Sequence, residues 1–242
     1  MKKTYLVLLI LCPILLHAQE LIKKTKSSGN PKSKEIYYVL KSDNKTLHGS
    51  YEKLDQNEKV VLSGFYKNGA KDSIWTEYSW HAKRTGKYES DKRVGVWEFY
   101  DYEGKLEQRI DFSTKKVLYF NVKNEDKDKK YKVINDSGTF MVKLDQPPLY
   151  LDGTMGINSV NSNIRYPVIA QENAVAGKVE ITFTIDSVGK TSNYRITKKI
   201  GSGCDEEALR VVKMIPENWL PGIYRGKAVT VDYVLPVSYK LE

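Results

Sequence analysis

A repeat of 22 residues constrains this chain more than any other feature. Gly64-Phe65-Tyr66 leads to Trp75-Thr76-Glu77-Tyr78, and Gly86-Lys87-Tyr88 leads to Trp97-Glu98-Phe99-Tyr100. In both copies the tyrosine stands nine residues before the tryptophan. A degenerate earlier copy opens at Gly49-Ser50-Tyr51. So short a period describes a supersecondary unit too small to bury its own apolar face, so the units must stack. Aromatic residues alternate with polar ones, and Asn68-Gly69 and Glu103-Gly104 are turn signals, so each unit is expected to be a β-hairpin. Tyr66, Trp75, Tyr88, Trp97 and Tyr100 are the candidate residues of a binding face on the repeats. The plainer alternative is that each aromatic belongs to the core of a thin sheet.

Residues 47–120 resemble the MORN-like repeats of bacterial envelope proteins, whose pattern is roughly G-x-Y followed by G-x-W-x-x-Y. Tyr66, Trp75, Tyr88, Gly95, Trp97 and Tyr100 carry the resemblance. One copy lacks the second glycine and has Ser73 before Ile74 and Trp75.

The N-terminus has the grammar of an export signal. Lys2 and Lys3 precede the mostly apolar run Tyr5–Leu16, and His17-Ala18-Gln19 follows, with Ala18 as the expected last residue of the leader. The run contains Pro13 and is shorter than the roughly 20 residues a spanning helix needs. Cys12 follows Leu11 where a lipid-bearing cysteine would follow a small residue. Removal of residues 1–18 leaves Cys204 as the single cysteine, so no internal disulfide is expected and the protein must hold together by packing.

The chain of 242 residues has a net charge of +9, spread along its length. Lys23, Lys24 and Lys26 form the only short basic cluster, and the mixed run Lys123–Lys130 reads as a solvated loop. A nucleic-acid reader would need a concentrated basic face with interleaved aromatics, so no nucleic-acid partner is expected.

Val133, Ile134, Phe140, Val142 and Leu144 suggest a strand or two leading out of the repeats, and Pro147-Pro148 marks a boundary. The expected division is therefore a leader at 1–18, a β-rich repeat domain with linker at 19–146, and a second domain at 147–242. In that second domain Val179, Ile181, Phe183 and Ile185 alternate with polar residues, as in a strand with one buried face. Asp186–Lys190 is a turn, and Tyr194 and Ile196 lie in a second strand. A helix follows, with Ser202 or Asp205 as cap, Ala208, Leu209, Val212 and Ile215 as its apolar stripe, and Pro216 as its end. In the last strand Val229, Val231, Tyr233, Leu235, Val237 and Tyr239 point one way. Pro236 lies between them and cannot donate to a ladder, which predicts an edge position for this strand. The expected fold class is α+β, with an all-β hairpin-repeat domain followed by a small ββαβ domain with an antiparallel sheet.

This second domain resembles the C-terminal domain of TonB-family energy transducers. Tyr166-Pro167 with Ala170-Gln171, Gly177-Lys178-Val179 through Phe183, Ile185-Asp186 and Gly189, and Asp205-Glu206-Glu207-Ala208-Leu209 with Val211-Val212 match the family's motifs in order. Trp219-Leu220-Pro221-Gly222, Gly226-Lys227 and Leu235-Pro236-Val237 complete the series, and Pro147–Gly153 resembles its lead-in. Glu217-Asn218 is one residue longer than the family's loop. The resemblance implies docking of the TonB-box peptide of a TonB-dependent outer-membrane receptor, which adds as a strand to the sheet edge. The implied partner-binding residues are Val229, Val231, Tyr233, Leu235, Pro236, Val237 and Tyr239, with Tyr166 and Pro167 shaping the same end. A homodimer through that strand is the alternative, and would make the chain a structural envelope protein assembled by its repeats. With the leader expected to be removed and only one Pro-Pro pair, neither the uncleaved anchor nor the long Pro-rich rod of a full transducer is expected, and a periplasmic adaptor or accessory role is the expectation. No partner for the repeats can be named.

No enzyme chemistry is expected. His48 and His81 are far apart in sequence and no zinc-type spacing exists. There is no G-x-S-x-G elbow and no phosphate-binding glycine loop. Cys204 beside a helix start is read as a packed small residue rather than a reactive thiol. No cofactor, metal or small-molecule substrate is implied.

Overall fold

The computed structural model describes residues 19–29, 32–79, 82–121, 127–158 and 161–241. The expected leader at 1–18 lies outside the described residues, as do Trp80 and His81.

Nine strands form an antiparallel meander in sequence order: β1 (Leu21–Ser28), β2 (Ser33–Leu40), β3 (Leu47–Leu54), β4 (Val60–Lys67), β5 (Ala70–Ser79), β6 (Ala82–Glu89), β7 (Lys92–Tyr100), β8 (Leu106–Asp111) and β9 (Lys116–Phe120). The hairpin expectation for 47–120 holds, and β1 and β2 extend the sheet upstream. The outer strand β1 carries Lys23, Lys24 and Lys26, charges of the kind that discourage unwanted pairing along an edge.

The glycine-tyrosine-tryptophan spacing has a steric cause. The Trp75 ring lies across Gly64, where an added Cβ would fall 2.1 Å from a ring carbon, and Trp97 lies across Gly86, where the distance would be 2.3 Å. Trp75 Nε1 donates to the carbonyl of Phe65 at 3.0 Å, and Trp97 Nε1 donates to that of Lys87 at 3.1 Å. Tyr66 packs edge-on against Trp75 at 5.0 Å and Tyr88 against Trp97 at 5.1 Å. Each repeat therefore supplies a flat floor, a wall and a lid for one indole. This is how a single-layer sheet buries two tryptophans.

The second sheet has the order β11-β10-β17-β13-β14, built from β10 (Tyr131–Asn135), β11 (Gly138–Val142), β13 (Gly177–Ile185), β14 (Thr191–Lys198) and β17 (Lys227–Tyr239). A short pair links β12 (Leu149–Tyr150) to β15 (Trp219–Leu220), and β16 (Gly222–Tyr224) pairs with the start of β17. The helices are α1 (Gly153–Asn158), α2 (Val168–Glu172) and α3 (Cys204–Val212). Ala208, Val211 and Val212 of α3 bury against Ile181, Phe183, Ile185 and Val231. The α+β class and the ββαβ order stand.

Three expectations change. First, β10 and β11 do not belong with the repeats, because Lys132–Ile134 pair with Asp232–Thr230 of β17. Second, β17 is not an edge strand. It is third of five, with β13 beside Val231–Tyr239 and β10 beside Thr230–Asp232. Third, neither Ser202 nor Asp205 caps α3. The N-cap is Gly203 at φ +83°, and the Asp205 carboxylate instead accepts the N–H groups of Ile200 and Gly201, at 2.8 and 3.2 Å. The loop before the helix is closed by a residue inside it.

Candidate functional site

The candidate site is half of one strand. On the side away from β13, β10 covers β17 only at Thr230–Asp232. Among the described residues, no strand pairs Val234–Tyr239 on that side. Pro236 lies within this stretch, opposite Glu180 of β13. A proline is tolerated there because one flank of the strand has no ladder to break. The central position of β17 and the reason for expecting an edge are thus reconciled: the strand is interior for one half and open for the other.

Of the β17 side chains named from the sequence, only Pro236 is exposed toward a partner. Val231, Leu235, Val237 and Tyr239 are buried in the core, and Val229 and Tyr233 pack against it. Tyr233 touches Trp219 at 4.9 Å and Phe183 at 5.6 Å between ring centres. What the open stretch offers outward is backbone, with Val234, Pro236 and Ser238 as its exposed side chains. Those positions were legible as the polar parity of the last strand.

Tyr166 and Pro167 close the far end. Pro167 is the N-cap of α2, with φ −62° and ψ 135°, which is the rigid-turn role. Tyr166 donates its hydroxyl to the carbonyl of Val175 at 2.6 Å and stands edge-on to Tyr239 at 5.3 Å. Tyr239 in turn donates to the carbonyl of Cys204 at 2.9 Å. Both tyrosines therefore brace the end of β17. Cys204 is fully buried, and burial, with the Asp205 and Glu206 carboxylates nearby, pushes its thiol up. It has the packed character expected of it.

The repeat aromatics divide. Tyr66, Trp75, Tyr88 and Trp97 form one row, joined by edge-on contacts. Tyr100 leaves the row. Alternation along β7 buries Trp97 and Phe99 while Glu98 and Tyr100 turn the other way. There Tyr100 donates to Glu98 at 2.7 Å, and Lys83 stands 4.0 Å from its ring centre. Lys71 covers Trp75 at 4.5 Å, and Arg93 covers Trp97 at 4.7 Å. The tryptophans are core, as the plainer reading held.

Sequence reasoning missed the junction between the two sheets. Asp152 reaches Arg93 at 2.6 Å, Arg84 at 2.9 Å and the Asn218 amide at 2.8 Å. Burial pushes the Asp152 carboxyl up, but Arg93, Asn218 and Arg84 outweigh it and hold it below the usual carboxylate range. Gln108 donates to the carbonyl of Tyr150 at 2.9 Å, and Glu107 accepts the N–H and hydroxyl of Thr154. Leu220, Leu149 and Leu151 pack on Trp97, Phe99 and Ile110. A cavity of about 350 Å³ lies beside this junction, with Gln108, Phe120, Tyr131, Tyr150 and Tyr233 in its wall. Among the described residues no cluster of His, Cys, Asp and Glu could hold a metal ion, and no helix is long and apolar enough to cross a membrane.

Comparison with known proteins bears on the same region. No curated protein matches the chain. Two solution structures of the Helicobacter pylori TonB C-terminal domain are similar to it. One is 26% identical over 36% of this chain and 90% of its own, with a TM-score of 0.28. The other is 23% identical over 36% of this chain and 79% of its own, with a TM-score of 0.27. Residues 162–241, the last third of the chain, match the family described as the Gram-negative bacterial TonB protein C-terminal.

Proposed function

We propose that the chain is an exported envelope protein whose C-terminal unit binds an extended peptide by strand addition, as an adaptor or accessory in TonB-dependent transport. One observation carries the reading: among the described residues, Val234–Tyr239 of β17 has a strand on one side only. An added strand gains affinity from main-chain hydrogen bonds, and its alternate side chains give modest selectivity. The match of residues 162–241 to the TonB C-terminal family supports the envelope setting and a receptor's TonB-box segment as the peptide. The buried parity of β17 means that Val231, Leu235, Val237 and Tyr239 hold the strand in place. The partner meets backbone, Val234, Pro236 and Ser238.

Amide NMR of the whole chain, titrated with receptor N-terminal peptides, tests this. Shifts concentrated at 234–239, with the 230–232 amides under β10 nearly still, are the expected outcome. Unmoved edge amides at millimolar peptide would sink the reading. If the same amides are already protected in a slowly tumbling symmetric dimer, the edge serves self-assembly, and the protein is a structural component of the envelope.

A further inference from the structure

We propose that β11 pairs with β11 of a second copy of this chain, so that two C-terminal sheets join into one across a two-fold axis at Phe140. β11 is the last strand of its sheet, and among the described residues its outer flank has no partner. A free strand flank invites unwanted pairing, and proteins guard it with charge, proline or cover. The other free flanks here are guarded. β1 carries Lys23, Lys24 and Lys26, β9 opens on Lys116, β14 holds Arg195 and Lys198, and the open half of β17 contains Pro236. β11 reads Gly138-Thr139-Phe140-Met141-Val142, with no charge and no proline. Phe140 and Met141 are 38% and 57% exposed. The strand lies outside residues 162–241, so the family match does not account for it.

Backbone phase fixes the register. The two-residue turn Asp136-Ser137 closes on the pair Asn135–Gly138, and Val133 pairs with Phe140. Antiparallel pairs alternate between bonded and non-bonded. Gly138, Phe140 and Val142 therefore direct their backbone groups to β10, while Thr139 and Met141 aim theirs outward. A second β11 centred on Phe140 sets Thr139 against the partner's Met141, and Met141 against the partner's Thr139, as hydrogen-bonded pairs. The two Phe140 rings then meet at a non-bonded pair, where side chains approach most closely. Phe140 already packs on Tyr224, at 6.1 Å between ring centres, and the second ring extends that contact. Charge fits the same register. Lys143 comes opposite the partner's Ser137, beside the partner's Asp136, at both ends. Its own contact with Asp128 is exposed and 3.5 Å long, so it is able to turn. Self-pairing of β1 would instead crowd lysines together. Two five-residue strands make a small interface, below the roughly 1,200 Å² of a standard complex, so the dimer is weak and concentration-dependent. It uses no residue of Val234–Tyr239 and leaves the open stretch of β17 to each copy.

The test uses the chain from Gln19 onward, as the expected leader cleavage leaves it. In sedimentation equilibrium its mass should rise from one chain towards two between about 10 µM and about 1 mM. Thr139→Glu with Met141→Glu alters exposed positions and sets like charges across the axis. That variant should associate roughly 10-fold more weakly. Thr139→Lys with Met141→Glu sets unlike charges across the axis and should restore the parent's affinity. Amide exchange gives a second reading: the Thr139 and Met141 N–H groups should exchange more slowly as concentration rises. If either variant loses its fold, exchange in the parent decides alone. A parent of one-chain mass at about 1 mM would overturn the proposal. So would a dimer that the Glu-Glu variant forms as readily, or one in which the newly protected amides lie at 234–239.

Discussion

Two glycines decide whether the repeat sheet can bury its tryptophans. Gly64 and Gly86 lie under indole rings, with no room for a Cβ. Gly86→Ala is expected to destabilise the protein by about 1–3 kcal/mol through overpacking. A lowered urea midpoint, followed by tryptophan fluorescence, checks this, and an unchanged midpoint would show that Trp97 moves aside freely. Cys204 makes a second residue-scale prediction. It is buried, and its thiol is pushed up by that burial, so it stays protonated and shielded at neutral pH. In protein lacking residues 1–18, a thiol reagent should label it only after denaturation. Rapid labelling of the native protein would contradict the packing. Both residues stood out in the sequence, the glycine by its repeat and the cysteine by its solitude. The packing of the cysteine was legible from its place beside a helix start, whereas the ring above the glycine is not written in local spacing.

At the scale of elements, the segment leading into α1 is the joint. Asp152 sits between β12 and α1 and takes charge contacts from β6 and β7 together with the Asn218 amide near β15. Its side chain is 17% exposed. Replacing it with Asn takes the counter-charge from the partly buried Arg93, while Arg84 keeps Glu77 at 2.6 Å, at an expected cost of about 2–4 kcal/mol. The pH dependence follows in sign. The folded-state pKa of Asp152 lies below its unfolded value. Its contribution is therefore complete above the ordinary carboxylate range and is lost as pH falls through the depressed value, below about pH 4. Denaturation curves of wild type and Asp152→Asn against pH should converge in that acid window. A constant gap down to pH 2 would rule out the charge as the cause. Pro147-Pro148 and Gly153 marked this segment as a lead-in, but nothing in its sequence names Arg84 or Arg93 as partners.

The whole molecule holds its two sheets together through that joint and a small apolar contact. Leu220, Leu149 and Leu151 cover Trp97, Phe99 and Ile110 at the end of the repeat face. The indole signal of the repeats and that of Trp219 in the second unit are therefore expected to be lost in one transition on heating. Asp152→Ala should separate them into two. Two transitions in the unaltered chain would mean that the joint does not couple the halves.

Local pattern was enough for the hairpin stack and for the β13-β14-α3-β17 series. Side-chain alternation and turn residues act over a few positions, and each such position is visible in the chain. The core of the second unit was legible for the same reason: the apolar parity of Val229–Tyr239 is the parity that packs inward. Which flank of β17 stays open was decided only in three dimensions. Lys132 pairs with a residue 100 positions away, and the polar, mixed sequence around it gives no sign of that partner. Pairing over such a distance depends on how the preceding sheet delivers β10 to the site, a property of the assembled chain rather than of any segment. The Asp152 joint has the same origin. Charges at 84, 93 and 152 are ordinary surface residues by composition, and become a clamp only when β6, β7 and the segment before α1 meet.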